Sequence, residues 1–260
     1  MRVLGVDFTS APRRAKPIVV ASGLLRQGEV RITGFERLET FEAFEDLLRR
    51  PGPWIGGFDF PFGLPRELVR DLGWPRDWRR LVSFCADLSR GEWRAILDGY
   101  RATRPAGRKY AHRRTDLPAG SSSPMKLVNP PVALMFHEGA PRLAEAGVHV
   151  PALCAGDRSR IALEAYPGLF ARRLLGNVSY KNDSKAKQTA ARRAARLRIL
   201  QGMPVKSSAE VRRQMIDDAS GDSLDAAICA LQAAWGWRRR ARNFGLPHRI
   251  ESCEGWIVSA

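Results

Sequence analysis

Hydrophobic and polar positions near the start of the chain follow the pattern of buried and half-buried strands. Residues 3–6 form a short apolar run that ends in Asp7, which is typical of a central strand covered on both faces. Residues 18–25 and 29–35 alternate in polarity on either side of a turn, which predicts a β-hairpin. The first part of the chain therefore predicts three strands.

A helix and a further strand are predicted directly after this hairpin. Thr40 is a suitable helix N-cap, and apolar residues then repeat at helical spacing until the Pro-Gly-Pro sequence at 51–53. Residues 54–60 read as a buried strand that carries Asp59 near its end. The order strand, hairpin, helix, strand indicates an α/β domain with carboxylates at the ends of its first and fourth strands.

The middle of the chain, at about 64–160, predicts a large helical insert within one domain that spans 1–260. The stretch 104–131 is rich in Arg, Gly, Ser and Pro and is long for a plain connection, so we expect it to be functional or partly disordered. The segments of the insert with helical periodicity are 66–72, 76–88, 92–102 and 131–146.

The last hundred residues return to one strand followed by helices. Residues 161–163 predict a buried strand that carries Glu164, and residues 255–258 predict a final strand or a docked tail. The predicted helices are 167–175, a basic helix capped by Ser184 that runs to 200, 209–217 capped by Ser208, and 222–237.

Charge changes this picture, because the chain is strongly basic. Lys and Arg number 43 against 27 Asp and Glu, which gives a formal net charge of +16. Neutralisation of phosphates supplies most non-specific affinity for nucleic acid, so the excess favours a nucleic-acid partner. A basic, solvated surface without a ligand is the alternative.

The cysteines and the hydropathy of the chain indicate where in the cell the protein is expected to be. The four cysteines are widely spaced and do not predict a zinc cluster or a disulfide framework. No apolar run approaches the roughly 18 residues needed to span a bilayer. We expect a cytoplasmic protein with no membrane partner, and no pattern indicates an oligomeric state.

Five acids occupy positions where an apolar element does not require them. Sites in α/β sheets form at the carboxyl ends of strands, and clustered carboxylates attract a divalent cation. Two such ions can promote phosphodiester hydrolysis. The five acids are Asp7, Asp59, Glu164, Asp222 and Asp225.

Each acid also has a structural interpretation. Asp7 and Asp59 precede turn-forming residues, and Glu164 can point to solvent. Asp222 is well placed as a helix N-cap, and Asp225 suits the positive end of the same helix. For Asp222 alone the capping interpretation is the stronger one.

Four motifs resemble those of a domain family of unknown function whose members are predicted to be nucleases with an RNase H-like fold. They are GVDFT at 5–9, GFDFPFG at 57–63, EAYP at 164–167 and DSLDAA at 222–227. The resemblance implies a mixed sheet flanked by helices, with acids on the first strand, the fourth strand and a C-terminal helix.

By this resemblance, Asp7, Asp59 and Asp225 would be the core ligands of Mg²⁺ or Mn²⁺. Asp222 would be an additional ligand, and Glu164 would join the first three as a catalytic residue. The expected activity is metal-dependent hydrolysis of phosphodiester bonds in nucleic acid.

Basic residues supply the predicted substrate-binding positions. The segment 101–114 carries six cationic side chains and no acid, with aromatic residues between them, a composition that suits single-stranded or distorted nucleic acid. A flexible, solvated loop is the alternative. The expected phosphate-binding residues are Arg108, Lys109, Arg113, Arg114 and Lys181, with Lys185 as a further lysine in reach.

Two other functions are compatible with the pattern. An ATP-dependent enzyme of the sugar-kinase or actin-like fold also places an Asp on its first strand, but it needs glycine-rich loops that the sequence does not show. A non-catalytic nucleic-acid-binding protein on a nuclease scaffold is the second alternative.

Overall fold

The computed structural model describes residues 1–260, apart from the side chain of Lys185. Strand β1 (Arg2–Asp7) is followed by the predicted hairpin, β2 (Ile18–Arg26) and β3 (Glu29–Leu38), and then by β4 (Trp54–Asp59). These four strands confirm the predicted start of the domain.

One mixed sheet of seven strands runs through the molecule in the order β5-β6-β4-β1-β2-β3-β7. The remaining strands are β5 (Val148–His149), β6 (Asp157–Glu164) and β7 (Val205–Lys206). Strands β1, β4 and β6 are parallel neighbours, while β2 is antiparallel to both β1 and β3. The fold is therefore mixed α/β, as predicted, and the last residues of β1, β4 and β6 meet at one edge.

Ten α-helices flank this sheet in the described chain, and each predicted helical segment is helical. Thr40 caps the first of them by accepting a hydrogen bond from the Ala43 amide at 3.2 Å. The helices are α1 (Phe41–Arg49), α2 (Arg66–Asp71), α3 (Trp78–Ala86), α4 (Arg90–Ala102), α5 (Asp116–Ala119), α6 (Val132–Glu145), α7 (Pro167–Leu175), α8 (Ala190–Gly202), α9 (Ala209–Asp217) and α10 (Asp222–Arg238).

Two helix starts differ from the prediction. Thr189, not Ser184, caps α8 and accepts a hydrogen bond from the Arg192 amide, because a 3-10 turn separates Ser184 from the helix. Gly221, not Asp222, is the N-cap of α10. The capping interpretation of Asp222 is therefore wrong, and Asp222 is the first residue inside the helix.

The core lies on both faces of the sheet because strand side chains alternate. Leu4 and Val6 of β1 belong to the cluster formed with α1 and the helices of the insert. Val3 faces the opposite cluster, to which α8, α9 and α10 contribute. The insert at 64–160 thus builds most of one face of the core, with Trp78, Trp93 and Phe136 fully buried.

Helix α10 lies directly against β1 and β4 because two glycines leave room for its backbone. A Cβ atom on Gly5 would lie 1.9 Å from the Ala226 carbonyl oxygen, and one on Gly57 would lie 2.3 Å from that of Cys229. No larger residue fits at either position without separating the helix from the sheet. This contact brings the first turn of α10 to the strand ends.

The C-terminal residues dock beside β6. The Val258 amide donates to the Glu164 carbonyl oxygen at 2.8 Å, and Ile257 forms a single bridge with Glu164. Of the two predicted alternatives the docked tail is confirmed. Among the described helices, none combines the length and apolar character that crossing a membrane requires.

Candidate functional site

Asp7 and Asp59 lie side by side at the edge where the parallel strands end. The two residues are direct register partners in the β1–β4 pair. Asp225, in the first turn of α10, is fully buried behind them, and Asp7 is only 8% exposed. The sheet register and the close-packed helix therefore bring together three of the predicted ligands.

Two lysines neutralise the acids of α10. Lys181 forms an ion pair with Asp225, whose other oxygen accepts a hydrogen bond from the Tyr180 hydroxyl at 2.6 Å. The Lys16 ammonium lies 2.9 Å from an Asp222 oxygen and 3.1 Å from an Asp183 oxygen. The expected ligands Asp222 and Asp225 are thus already paired with cations.

Asp7 and Asp59 have no such partner, since neither carboxylate accepts a hydrogen bond from a donor among the described residues. Burial, followed by the negative charge of Asp222, holds the pKa of Asp7 well above its usual range. Burial likewise raises the pKa of Asp59 to about 7, although Lys181 opposes the shift. Both residues line the cleft, Asp7 buried and Asp59 half-buried, so their carboxylates are accessible to a ligand.

The donor chemistry of this cluster suits a hard divalent cation. Its donors are carboxylate oxygens, and Mg²⁺ and Mn²⁺ prefer oxygen ligands. In the described part of the chain, no three His, Cys, Asp or Glu side chains are grouped closely enough to hold a metal as they stand. Asp7 and Asp59 offer free oxygens, whereas Asp222 and Asp225 would have to exchange a lysine for the ion.

Glu164 and Arg113 belong to a different arrangement. The Arg113 guanidinium donates to both Glu164 oxygens, at 2.7 and 2.8 Å, and to an Asp116 oxygen at 2.9 Å. The Phe62 amide also donates to Glu164, and Arg113 reaches the Glu254 carbonyl oxygen at 3.0 Å. Burial raises the pKa of Glu164, and the Arg113 charge opposes that shift.

This network corrects the expectation for Arg113. The side chain is 2% exposed, and its donors are occupied by two carboxylates and a carbonyl, so it is not a free cation for a phosphate. It ties the insert to the end of β6 and to the C-terminal tail. Glu164 lines the same cleft as the aspartates and its charge acts on Asp59, but Arg113 already donates to both of its oxygens.

The other predicted phosphate-binding residues are accessible. Arg108, Lys109 and Arg114 are exposed, and their side chains form no ion pair with an acid in the described chain, although the Arg114 backbone amide donates to Glu254. Lys181 is 41% exposed and lines the cleft in front of the aspartates. The side chain of Lys185 lies outside the part that the structure describes.

A cleft of about 790 Å³ opens above the acids. Asp7, Asp59 and Asp222 line it, while Asp225 lies behind Lys181 and Tyr180. Its walls come from several separate parts of the chain: the β1–β2 loop, the residues after β4, the α5–α6 loop with the start of α6, the start of α7, the α7–α8 loop, the start of α10 and the C-terminal tail. The wall residues include Ser10, Lys16, Ser121, Ser122, Asn129, Pro130, Pro131, Tyr166, Gly168 and Asn182.

Three residues of the site were not predicted. Lys16 was not singled out, because its partner Asp222 is 206 positions away along the chain. Tyr180 had one weak signal, its position next to the predicted Lys181. Tyr166 stands in the EAYP motif, but nothing in the sequence showed that it lines the cleft or that its hydroxyl accepts a hydrogen bond from Arg172.

Comparison with known proteins places the chain in a family. The model of a family described as proteins of unknown function, DUF429, matches residues 5–247, so the chain belongs to that family. No curated protein matches the chain. No solved structure matches it either.

Proposed function

We propose that this protein is a divalent-metal-dependent nuclease with an RNase H-like fold, which hydrolyses phosphodiester bonds in nucleic acid. One observation carries the proposal. Asp7 and Asp59 are register partners at the ends of neighbouring parallel strands, and both line the cleft, Asp7 buried and Asp59 half-buried, with no ion pair to a cation of the described chain. Neighbouring carboxylates that face a cleft repel one another, and a divalent cation with oxygen ligands relieves that repulsion.

The positions of the acids support the RNase H-like assignment. The resemblance requires acids on the first strand, the fourth strand and a C-terminal helix, and Asp7, Asp59 and Asp225 lie on β1, β4 and α10. The mixed sheet flanked by helices is compatible with that fold.

In this proposal some residues bind the metal ion, one positions a metal ligand and one binds the substrate. Asp7 and Asp59, joined by Asp225, would hold Mg²⁺ or Mn²⁺, which supplies Lewis acidity toward a phosphodiester. Tyr180 fixes the orientation of Asp225 through its hydroxyl. Lys181, which lines the cleft, is placed to bind a phosphate oxygen.

The charge of the protein supports a nucleic-acid substrate. The net charge is +16, and Arg108, Lys109 and Arg114 remain free of acidic partners in the described chain. Phosphate contacts by such residues supply affinity that falls as salt rises.

Cleavage of a substrate panel tests the proposal. The purified protein is incubated in Mn²⁺ or Mg²⁺ with labelled single-stranded, duplex and branched DNA and RNA. We expect cleavage of at least one substrate, its loss in EDTA, and its loss in Asp7→Asn. Asp183→Asn is the matched control, because Asp183 is an exposed acid of the same cleft. No cleavage of any substrate, or equal cleavage by Asp7→Asn, would overturn the proposal.

A further inference from the structure

Lys181 lies among the three proposed metal ligands, and its charge acts on all of them. Its ammonium forms an ion pair with Asp225. Burial raises the pKa values of Asp7 and Asp59, and in both residues the Lys181 charge opposes the shift. A positive charge favours the ionised form of a carboxyl group only when it lies close to that group. One ammonium therefore serves three carboxylates.

The Lys181 ammonium also stands between Asp225 and the cleft. Asp225 is fully buried and does not line the cleft, whereas Lys181 does. One Asp225 oxygen accepts a hydrogen bond from the Tyr180 hydroxyl at 2.6 Å, and the other accepts one from Lys181. A cation that enters from the cleft therefore meets Lys181 before it reaches Asp225.

Buried contacts hold the backbone and the stem of Lys181 in this place. The Tyr180 carbonyl oxygen accepts a hydrogen bond at 2.8 Å from Arg196, which is 3% exposed and also donates to the Ile216 carbonyl oxygen at 2.7 Å. The stem packs against Gly221, where a Cβ atom would lie 2.8 Å from the Lys181 Cβ. Movement of Lys181 is therefore confined to the outer part of a side chain that is 41% exposed.

We propose that Lys181 is the internal cation of this site: it neutralises Asp225 while no divalent ion is bound, and it gives up that carboxylate when Asp225 takes up Mg²⁺ or Mn²⁺. Two cations beside one carboxylate repel each other, so the ammonium and the divalent ion compete for Asp225. The released ammonium stays in the cleft that it lines. The inference rests on the proposed function only for the divalent ion.

Calorimetric titration with Mn²⁺ measures this competition. Lys181→Met keeps the length of the side chain and removes its charge, so we expect Mn²⁺ to bind about tenfold more tightly or better, because the repulsion between the two cations is gone. Lys181→Arg keeps the charge and should not bind Mn²⁺ more tightly than the unsubstituted chain. Lys206→Met is the matched control, since Lys206 pairs with Glu29 at the far edge of the sheet.

A second measurement uses the unsubstituted protein and needs no variant to fold. Lysines are acylated with an N-hydroxysuccinimide ester in EDTA or in Mn²⁺, and mass spectrometry gives the labelling rate at each position. We expect Lys181 to be labelled severalfold faster in Mn²⁺, because its amine is then no longer paired with a buried carboxylate. The labelling rate of Lys206 should stay the same.

The outcomes separate this inference from the proposed function. Tighter Mn²⁺ binding by Lys181→Met than by Lys181→Arg, together with faster labelling of Lys181 in Mn²⁺, supports the inference. Equal or weaker binding by a folded Lys181→Met, or labelling of Lys181 that bound Mn²⁺ leaves unchanged, overturns it but leaves the nuclease standing. If neither the unsubstituted chain nor Lys181→Met binds Mn²⁺, the inference and the metal dependence of the nuclease are both wrong. Circular dichroism checks that each variant is folded.

Discussion

Two groups of carboxylates lie near the ends of the parallel strands, and their surroundings differ: one group is bonded to a cation and the other faces the cleft. Glu164 and Asp116 share the Arg113 guanidinium, and Glu164 also accepts from the Phe62 amide. Asp7 and Asp59 form no ion pair in the described chain; burial and the neighbouring carboxylates disfavour their charged forms and raise their pKa values, while Lys181 opposes the shift. Fully bonded buried acids fix a structure, whereas unbonded ones are retained at a cost that a function explains.

The largest effect is expected from breaking the bonded group. Arg113→Met leaves two buried carboxylates without their cation and should lower the free energy of unfolding by about 3–5 kcal/mol. Urea denaturation at pH 7 measures the loss. Arg114→Met is the control, because Arg114 is exposed and outside the network. Equal midpoints for the two variants would mean that the network contributes no stability.

Replacing a carboxylate by the amide of the same shape should change the free energy of unfolding differently in the two groups. Glu164→Gln removes a charged acceptor from Arg113 and should cost about 1.5–3 kcal/mol. Asp7→Asn removes a buried carboxyl group whose ionised form is disfavoured by burial and by the negative charges of Asp222, Asp225 and Asp59, and should raise the free energy of unfolding or leave it unchanged. Thermal and urea unfolding without divalent ions measure both. A destabilised Asp7→Asn contradicts the comparison.

Stability should also depend on pH through Asp59. Its folded-state pKa is about 7, mainly because of burial, against about 3.8 when unfolded. The folded state therefore holds the proton more tightly, and its stability falls as pH rises from about 4 through 7. Asp59→Asn removes the titrating group and with it this pH-dependent loss of stability. The variant should therefore exceed the unsubstituted chain in free energy of unfolding by more at pH 8 than at pH 5. Unfolding midpoints in EDTA at both pH values provide the measurement, and a constant difference would contradict it.

The smallest effect on stability is expected from the hydrogen bond that the neutral Tyr180 hydroxyl donates to Asp225. Tyr180→Phe deletes the donor of the 2.6 Å bond and should cost about 1 kcal/mol. Tyr100→Phe is the control, since its hydroxyl donates to Asp71 at the surface and its loss should change the midpoint less. The Tyr180 variant should weaken Mn²⁺ binding measured by calorimetry, while Tyr100→Phe should leave it unchanged.

The predictable part of the fold is the part that short stretches of sequence determine. Periodicity located the strands of the hairpin and the helices of the insert, because each apolar position reports which face its own element buries. Asp7 and Asp59 were found in the same way, as polar residues that end apolar strands. Their meeting follows from two parallel neighbours ending at one edge.

The unpredicted part consists of partners that are distant in sequence. Arg113 looked like a free cation within a basic segment, but its partners Glu164 and Glu254 are 51 and 141 positions away. Asp222 resembled an N-cap because the pattern could not show that Lys16 would bind its carboxylate. Local sequence patterns do not report such distant pairs. Which acids are paired with an arginine or lysine and which face the cleft could therefore not be predicted from the sequence.

The glycine contacts of α10 bear on how this site moves. Main-chain atoms of the helix touch those of β1 and β4 at Gly5 and Gly57, so relative displacement of the elements that carry Asp7, Asp59 and Asp225 is limited by direct backbone contact. Lys16 and Lys181 reach the same acids through long side chains, which change rotamer within nanoseconds when exposed. We therefore expect a ligand that binds here to displace the lysine side chains more than the aspartates.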